Sequence, residues 1–158
     1  MKKLLLILVL GAMVSCQQKA KDAKATEGAA KDSTEMNLDP SLGALQTKTY
    51  EGVLPSQGKG LRYTLTVKIQ EKSDAGKYEL LKTYIEGNEG KDLTYVSDGT
   101  VKVIHGTKAD KNAIVWELTP EKNKEISYYQ VEEGRVIMLS QKMEKTTSWK
   151  DYILTQKK

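Results

Sequence analysis

One cysteine, one histidine and five methionines are the only sulfur and imidazole ligands in this 158-residue chain, and their spacing limits its chemistry. Cys16 stands alone, so no disulfide, dithiol redox cycle or thiolate cluster can be assembled from it. His105 has no Cys or second His beside it, and a single imidazole is a poor metal site. It shares strand parity with Val101 and Val103 and reads as a structural or strand-end residue. Ser97 and Asp98 precede it without a nucleophile elbow or a base-orienting set. Met138, in an apolar run, and Met143, in a polar connection, could offer thioethers to Cu(I), but core filling and a surface position account for both. Glu132 and Glu133 sit in a turn as solvated acids. The segment from Gly52 to Gly60 contains a Gly-Lys pair, yet five residues separate Gly52 from Gly58, Gly60 follows Lys59, and a strand comes next. A phosphate loop needs four residues, a Ser or Thr, and a helix. No catalytic residue and no cofactor is expected, and the chain does not read as an enzyme.

The context of Cys16 says more than its isolation. Lys2 and Lys3 precede an apolar stretch from Leu4 through Val14, followed by Ser15 and Cys16, the three zones of an export signal. About eleven apolar residues rise only about 16 Å as a helix, roughly half a hydrocarbon layer, too short for a stable span. The run MVSC at 13–16 resembles the lipobox of bacterial lipoproteins, with Met13 and Ser15 as permitted variants. Residues 1–15 are therefore expected to be removed and Cys16 to become the lipid-bearing first residue, held in a membrane by more than one acyl chain. Gln17 after the cysteine, by the enterobacterial sorting rule, resembles an outer-membrane destination, with the domain facing the periplasm.

Without Lys2 and Lys3 the remaining chain has 23 basic against 21 acidic side chains. Charges of both signs are interspersed, whereas a nucleic-acid footprint needs a basic stripe or cluster. Residues 17–46 are rich in Ala, Lys, Asp, Thr, Glu, Gly and Ser, with Met36, Leu38, Leu42 and Leu45 as the only large apolar side chains. Such a segment buries too little surface to offset its ordering entropy, so residues 16–46 read as a lipidated cysteine on a flexible tether. From residue 47 the hydrophobic period becomes two, best seen where Leu61, Tyr63, Leu65, Val67 and Ile69 alternate with polar residues.

Eight such runs are predicted as strands: 49–54, 61–70, 77–85, 100–105, 113–118, 125–131, 135–140 and 152–155. Turn chemistry separates them at 74–76, 87–90, 98–99, 111–112 and 132–134. Eight short antiparallel strands in residues 47–158, with no room for crossover helices, predict an all-β domain, and closure into an up-and-down barrel removes the exposed edges of an open meander. The lumen of such a barrel holds side chains or one small ligand near its mouth. The aromatic residues are Tyr and Trp only, large apolar bodies with a polar handle that suit cores, barrel mouths and binding surfaces alike. Tyr128 and Tyr129 are consecutive on one strand and must point to opposite faces, so the outward ring of the pair marks a possible contact surface.

Three stretches in fixed order resemble the N-terminal domain family of the copper-resistance lipoprotein NlpE: YEGVLP at 50–55 running into GLRYTLTV at 60–67, GKYELLKTY at 76–84, and YILT at 152–155. The resemblance implies a small lipocalin-like barrel on an outer-membrane lipid anchor. It also implies a Cys-x-x-Cys pair in the loop after Pro55. Here Ser56 falls at the first of those positions and Lys59 near the second, and a hydroxyl and an ammonium cannot replace thiolates toward Cu(I). Copper handling is therefore disfavoured. The expected function is a lipid-anchored, non-enzymatic binding or interaction module, or envelope-stress sensor. It would be partnered by the membrane through Cys16 and by an envelope protein. A carrier of a small apolar ligand is the alternative.

Overall fold

The computed structural model describes residues 36–56, 59–122 and 125–158. Eight strands form in chain order: β1 Leu45–Leu54, β2 Leu61–Gln70, β3 Ala75–Asn88, β4 Lys91–His105, β5 Ile114–Pro120, β6 Ser127–Glu132, β7 Arg135–Met138 and β8 Ile153–Gln156. Each pairs antiparallel with the next and β8 returns to β1, so the sheet is a closed up-and-down barrel. The expected all-β, eight-stranded barrel is the fold observed. Only two short 3-10 turns, Pro40–Leu42 and Trp149–Tyr152, depart from sheet and loop among the described residues.

Period-two patterning sets which side chains enter the lumen. On β2, Leu61, Tyr63, Leu65 and Val67 are buried and alternate with exposed or half-buried Arg62, Thr64 and Thr66. Cross-strand partners share a face, so Tyr50 opposite Leu65, Leu80 opposite Leu65, and Tyr78 opposite Val67 continue the same inner surface. Trp116, Leu118, Tyr129, Val136 and Leu154 complete it from the other side. Each fully buried Leu or Val here contributes about 1.5–3 kcal/mol relative to an exposed one. Tyr50 and Trp116 meet edge to face across the lumen, centroids 5.7 Å apart.

The β1–β8 seam is the shortest, with two residue pairs. Gly52 permits it, since a Cβ there would run into the carbonyl of Ile153. Beyond the strand end, Lys157 donates its amide to the carbonyl of Thr49 at 2.8 Å, and its ammonium pairs with Glu51 at 2.9 Å.

Three features differ from the sequence expectation. Asp98 and Gly99 are not a turn: they lie within β4, which runs unbroken from residue 91. Gly99 serves close packing there instead, because a Cβ would strike the carbonyl of Thr119 on β5, and Tyr78 lies opposite it on β3. The β3–β4 hairpin is consequently long, and residues 91–98 reach past the end of the β4–β5 ladder, which begins at Gly99.

The fold also takes in residues assigned above to the tether. β1 begins at Leu45, and Gln70, one of the few buried polar side chains, grips the preceding turn: its amide donates to the carbonyls of Asp39 (2.8 Å) and Gly43 (2.9 Å) and accepts from the Asp39 amide (3.1 Å). Finally, Leu139 and Met143, beyond β7, pack with Ala113, Val115, Ile104 and Tyr128 in a second small core, and the turn Trp149–Tyr152 packs against β7 and β1.

Candidate functional site at the barrel mouth

The two ends of the barrel are built from the same alternation but different side chains. At one mouth, where β2, β4, β6 and β8 begin and the loop joining β1 to β2 lies, the lumen is stoppered by tyrosines. Tyr63, Tyr78 and Tyr129 are all buried, and burial pushes each phenol above its ordinary range, furthest for Tyr129. Tyr129 Oη is fully enclosed and makes no hydrogen bond among the described residues; the Ser127 hydroxyl, two residues earlier on the same face, is close enough to favour ionisation slightly but does not complete a bond. Tyr78 Oη stands 3.4 Å from Ser97 Oγ, a long contact. Lys82 lies over the Tyr63 ring at 5.5 Å, and beyond it Tyr84 and Tyr95 meet edge to face on the projecting hairpin.

At the opposite mouth, beside the Gln70 clamp, the inner residues are Val and Ile. Val67, Ile69, Val103, Ile114 and Val131 wall a hollow of about 480 Å³, with Trp116 among its lining. That volume falls in the range of small-molecule sites. Ile114 is 43 % exposed in it, an apolar side chain with its inner face left uncovered. The rim is polar: Lys48, Glu71, Asp74 and His105 contribute charged or titratable groups. Asp74 Oδ1 lies 3.0 Å from His105 Nε2, and Gln46 donates to Glu71 at 2.9 Å. Lys48 is opposite Val67 and so on the inner face, and its ammonium makes no ion pair or hydrogen bond with any described residue. Nothing in the sequence marked this hollow, since each of its residues reads separately as ordinary strand core.

The residues singled out from the sequence are scattered over the barrel rather than gathered. Cys16, Gln17 and the proposed cleavage site lie outside the described residues. Ser56 and Lys59 sit on the β1–β2 loop, bordering an open groove of about 530 Å³ with Pro55, Lys150 and Asp151; Lys59 pairs with Glu86 at 2.6 Å. Tyr129 is not a contact residue: it is 0 % exposed inside the lumen. Tyr128 does point outward as its parity requires, but Leu139 and Met143 of the same chain pack with it, so its half-buried ring serves the second core. The exposed aromatic is instead Tyr95 (55 % exposed), with Tyr84, Leu93 and Val96 nearby on the hairpin.

His105, expected to follow Val101 and Val103, is on the hollow's rim with Asp74 as its partner. Met138 packs against the main core and Met143 against the small one. Glu132, expected to be solvated, is tied down by Arg135 (2.6 Å) and Lys145 (2.9 Å); the Lys145 hydrogen bond, then that of Arg135, hold its carboxyl below the usual range against the opposing effect of burial. Both cations also lie over the Trp149 ring, Lys145 at 4.8 Å and Arg135 at 5.9 Å, which fixes residues 139–152 to the barrel.

No curated protein and no solved structure matches the chain. The family model of the NlpE N-terminal domain, however, matches residues 50–149, from the middle of β1 to the 3-10 turn before β8, and by this match over more than half its length the chain belongs to the NlpE N-terminal domain family.

Proposed function

We propose that this protein is a lipid-anchored, non-enzymatic binding module of the cell envelope, held on Cys16 at the outer membrane and facing the periplasm, and that its binding element is the hollow beside the Gln70 clamp. Membership of the NlpE N-terminal domain family supports reading it as an envelope lipoprotein module. The observation that carries the finer reading is the hollow itself: an apolar wall of about 480 Å³ built on a closed sheet, with a polar rim. The barrel's midsection is filled by Tyr50, Leu65, Leu118 and Leu154, so a ligand enters only the mouth, and one small apolar group is what fits. The chain enters the barrel through the turn that Gln70 clamps, on the side of the mouth that bears the hollow.

A second reading, docking of an envelope protein, rests on the hairpin patch of Tyr84, Leu93 and Tyr95, three exposed large apolar side chains on one face of the projecting element. Native mass spectrometry of the folded protein after incubation with envelope lipid extract separates the two. A stoichiometric small ligand lost in Val131→Trp, which fills the hollow, supports the mouth; crosslinking to a protein that Tyr95→Ser abolishes while Val131→Trp does not supports the arm instead. Anchoring has its own test: Cys16→Ala removes the chain from the membrane fraction, and unchanged fractionation overturns it.

A further inference from the structure

We infer that the hollow takes a single-chain amphiphile with an acidic head, an alkyl carboxylate in chemical class, whose tail lies along the Val and Ile wall and whose carboxylate meets Lys48. This rests on the hollow being the binding element and adds the identity of the head group. The wall is contributed by four strands whose inner side chains are branched aliphatics, Ile69 on β2, Val103 on β4, Ile114 on β5 and Val131 on β6. They present no donor or acceptor, so the part of a ligand that displaces water there is hydrocarbon. A polar head must then stay at the rim, and the rim groups differ in how far they are committed.

The acids are both engaged. Asp74 accepts from His105 at 3.0 Å and Glu71 accepts from the Gln46 amide at 2.9 Å. Lys48 is the exception: β1 alternation and its place opposite Val67 turn it inward, it borders the hollow, and no described residue hydrogen-bonds or pairs with it. An ammonium next to an apolar wall is a partner for an anion, since a charge-assisted N–H···O bond is about twice as strong as a neutral one. Its four-carbon stem adds apolar contact while the charge stays wet. A cationic head would meet Lys48 as a like charge and would find its counter-charge only in Glu71 and Asp74, each of which already shares one oxygen with Gln46 or His105.

The test uses the full-length chain and three eight-carbon probes that differ only at the head, octanoate, 1-octanol and octyltrimethylammonium, titrated calorimetrically. Octanoate is expected to bind most tightly. Lys48→Met, which keeps the stem and removes the charge, weakens octanoate about fivefold and leaves 1-octanol within about twofold, while Lys48→Arg restores octanoate. Circular dichroism of each variant checks that the barrel is intact. Equal binding of all three probes, insensitive to Lys48→Met, overturns the acidic head and leaves the hollow standing. Tightest binding of octyltrimethylammonium also overturns it and points to Glu71 and Asp74. If no probe binds, the hollow is not a binding element and both readings fall.

Discussion

The two mouths of this barrel are a natural experiment in what a lumen does when only the size of its inward side chains changes. At one end three tyrosines from β2, β3 and β6 fill the space and bury their rings completely or nearly so. At the other, on the same inward parity of β2, β4 and β6, Val67, Ile69, Val103 and Val131 stop short of one another and leave a hollow of about 480 Å³. Both ends obey one hydrophobic alternation. The difference teaches that patterning closes the barrel, whereas side-chain volume decides whether a mouth is core or site.

The largest expected effect comes from opening the closed end. Tyr129→Ala removes a wholly buried ring and is expected to cost about 3–5 kcal/mol, seen as a lower midpoint in chemical denaturation. Tyr129→Phe should behave oppositely, neutral or stabilising by less than about 1 kcal/mol, because the hydroxyl it deletes is buried without a partner. A large loss in Tyr129→Phe would mean that the phenol is hydrogen-bonded after all.

Adding one methylene to each region sharpens the contrast. Val136 is fully buried among Tyr129, Leu154 and their neighbours, and Val136→Leu should destabilise by about 1–3 kcal/mol through overpacking. Val131 lines the hollow, and Val131→Leu should be neutral or stabilising by up to about 0.8 kcal/mol. Equal penalties at both positions, measured by thermal unfolding, would show that the hollow collapses in solution.

Loosening the open end has a smaller and more local consequence. Gln70→Ala removes three hydrogen bonds to the turn at Asp39 and Gly43, worth about 1–3 kcal/mol. Hydrogen exchange should show the amides of Leu42, Glu71 and Lys72, which bond across that turn, losing protection while those of β6 and β7 keep theirs. Uniform loss throughout the barrel would refute a local clamp.

Smallest is an effect of acid. Glu132 is held below the ordinary glutamate value of 4.5 by Lys145 and Arg135. A lowered folded-state value means that its stabilisation is complete above about 4.5 and is lost as pH falls through the lower value. Glu132→Gln should therefore lower the melting temperature slightly at neutral pH and leave the acid limb flatter than in the wild type; parallel curves would remove Glu132 as a contributor.

The family and the strand count were legible because local sequence controls both. Residues 61–70 alternate without a break and form β2 over that very range, and the run at 76–84 pairs in register with β2 as one uninterrupted hairpin face. Asp98 and Gly99 misled because glycine has two uses, turning a chain and letting a neighbouring backbone approach, and only the position of the Thr119 carbonyl tells them apart. The Tyr128 face was legible and its covering was not: parity sends the ring outward, but Leu139 and Met143, more than ten residues on, decide what lies over it.

By itself, then, the sequence determined the alternation, hence which residues face the lumen, and carried the family pattern over residues 50–149, because these depend on neighbours one and two positions away. The tertiary structure alone decided that Gln70 reaches back 31 residues to Asp39, that β4 outruns β5 and exposes Tyr95, and that five separately unremarkable aliphatic residues enclose a hollow with Lys48 at its edge. A cavity is a property of the space between strands, and that space is set by barrel closure and relative strand length rather than by any one run of residues.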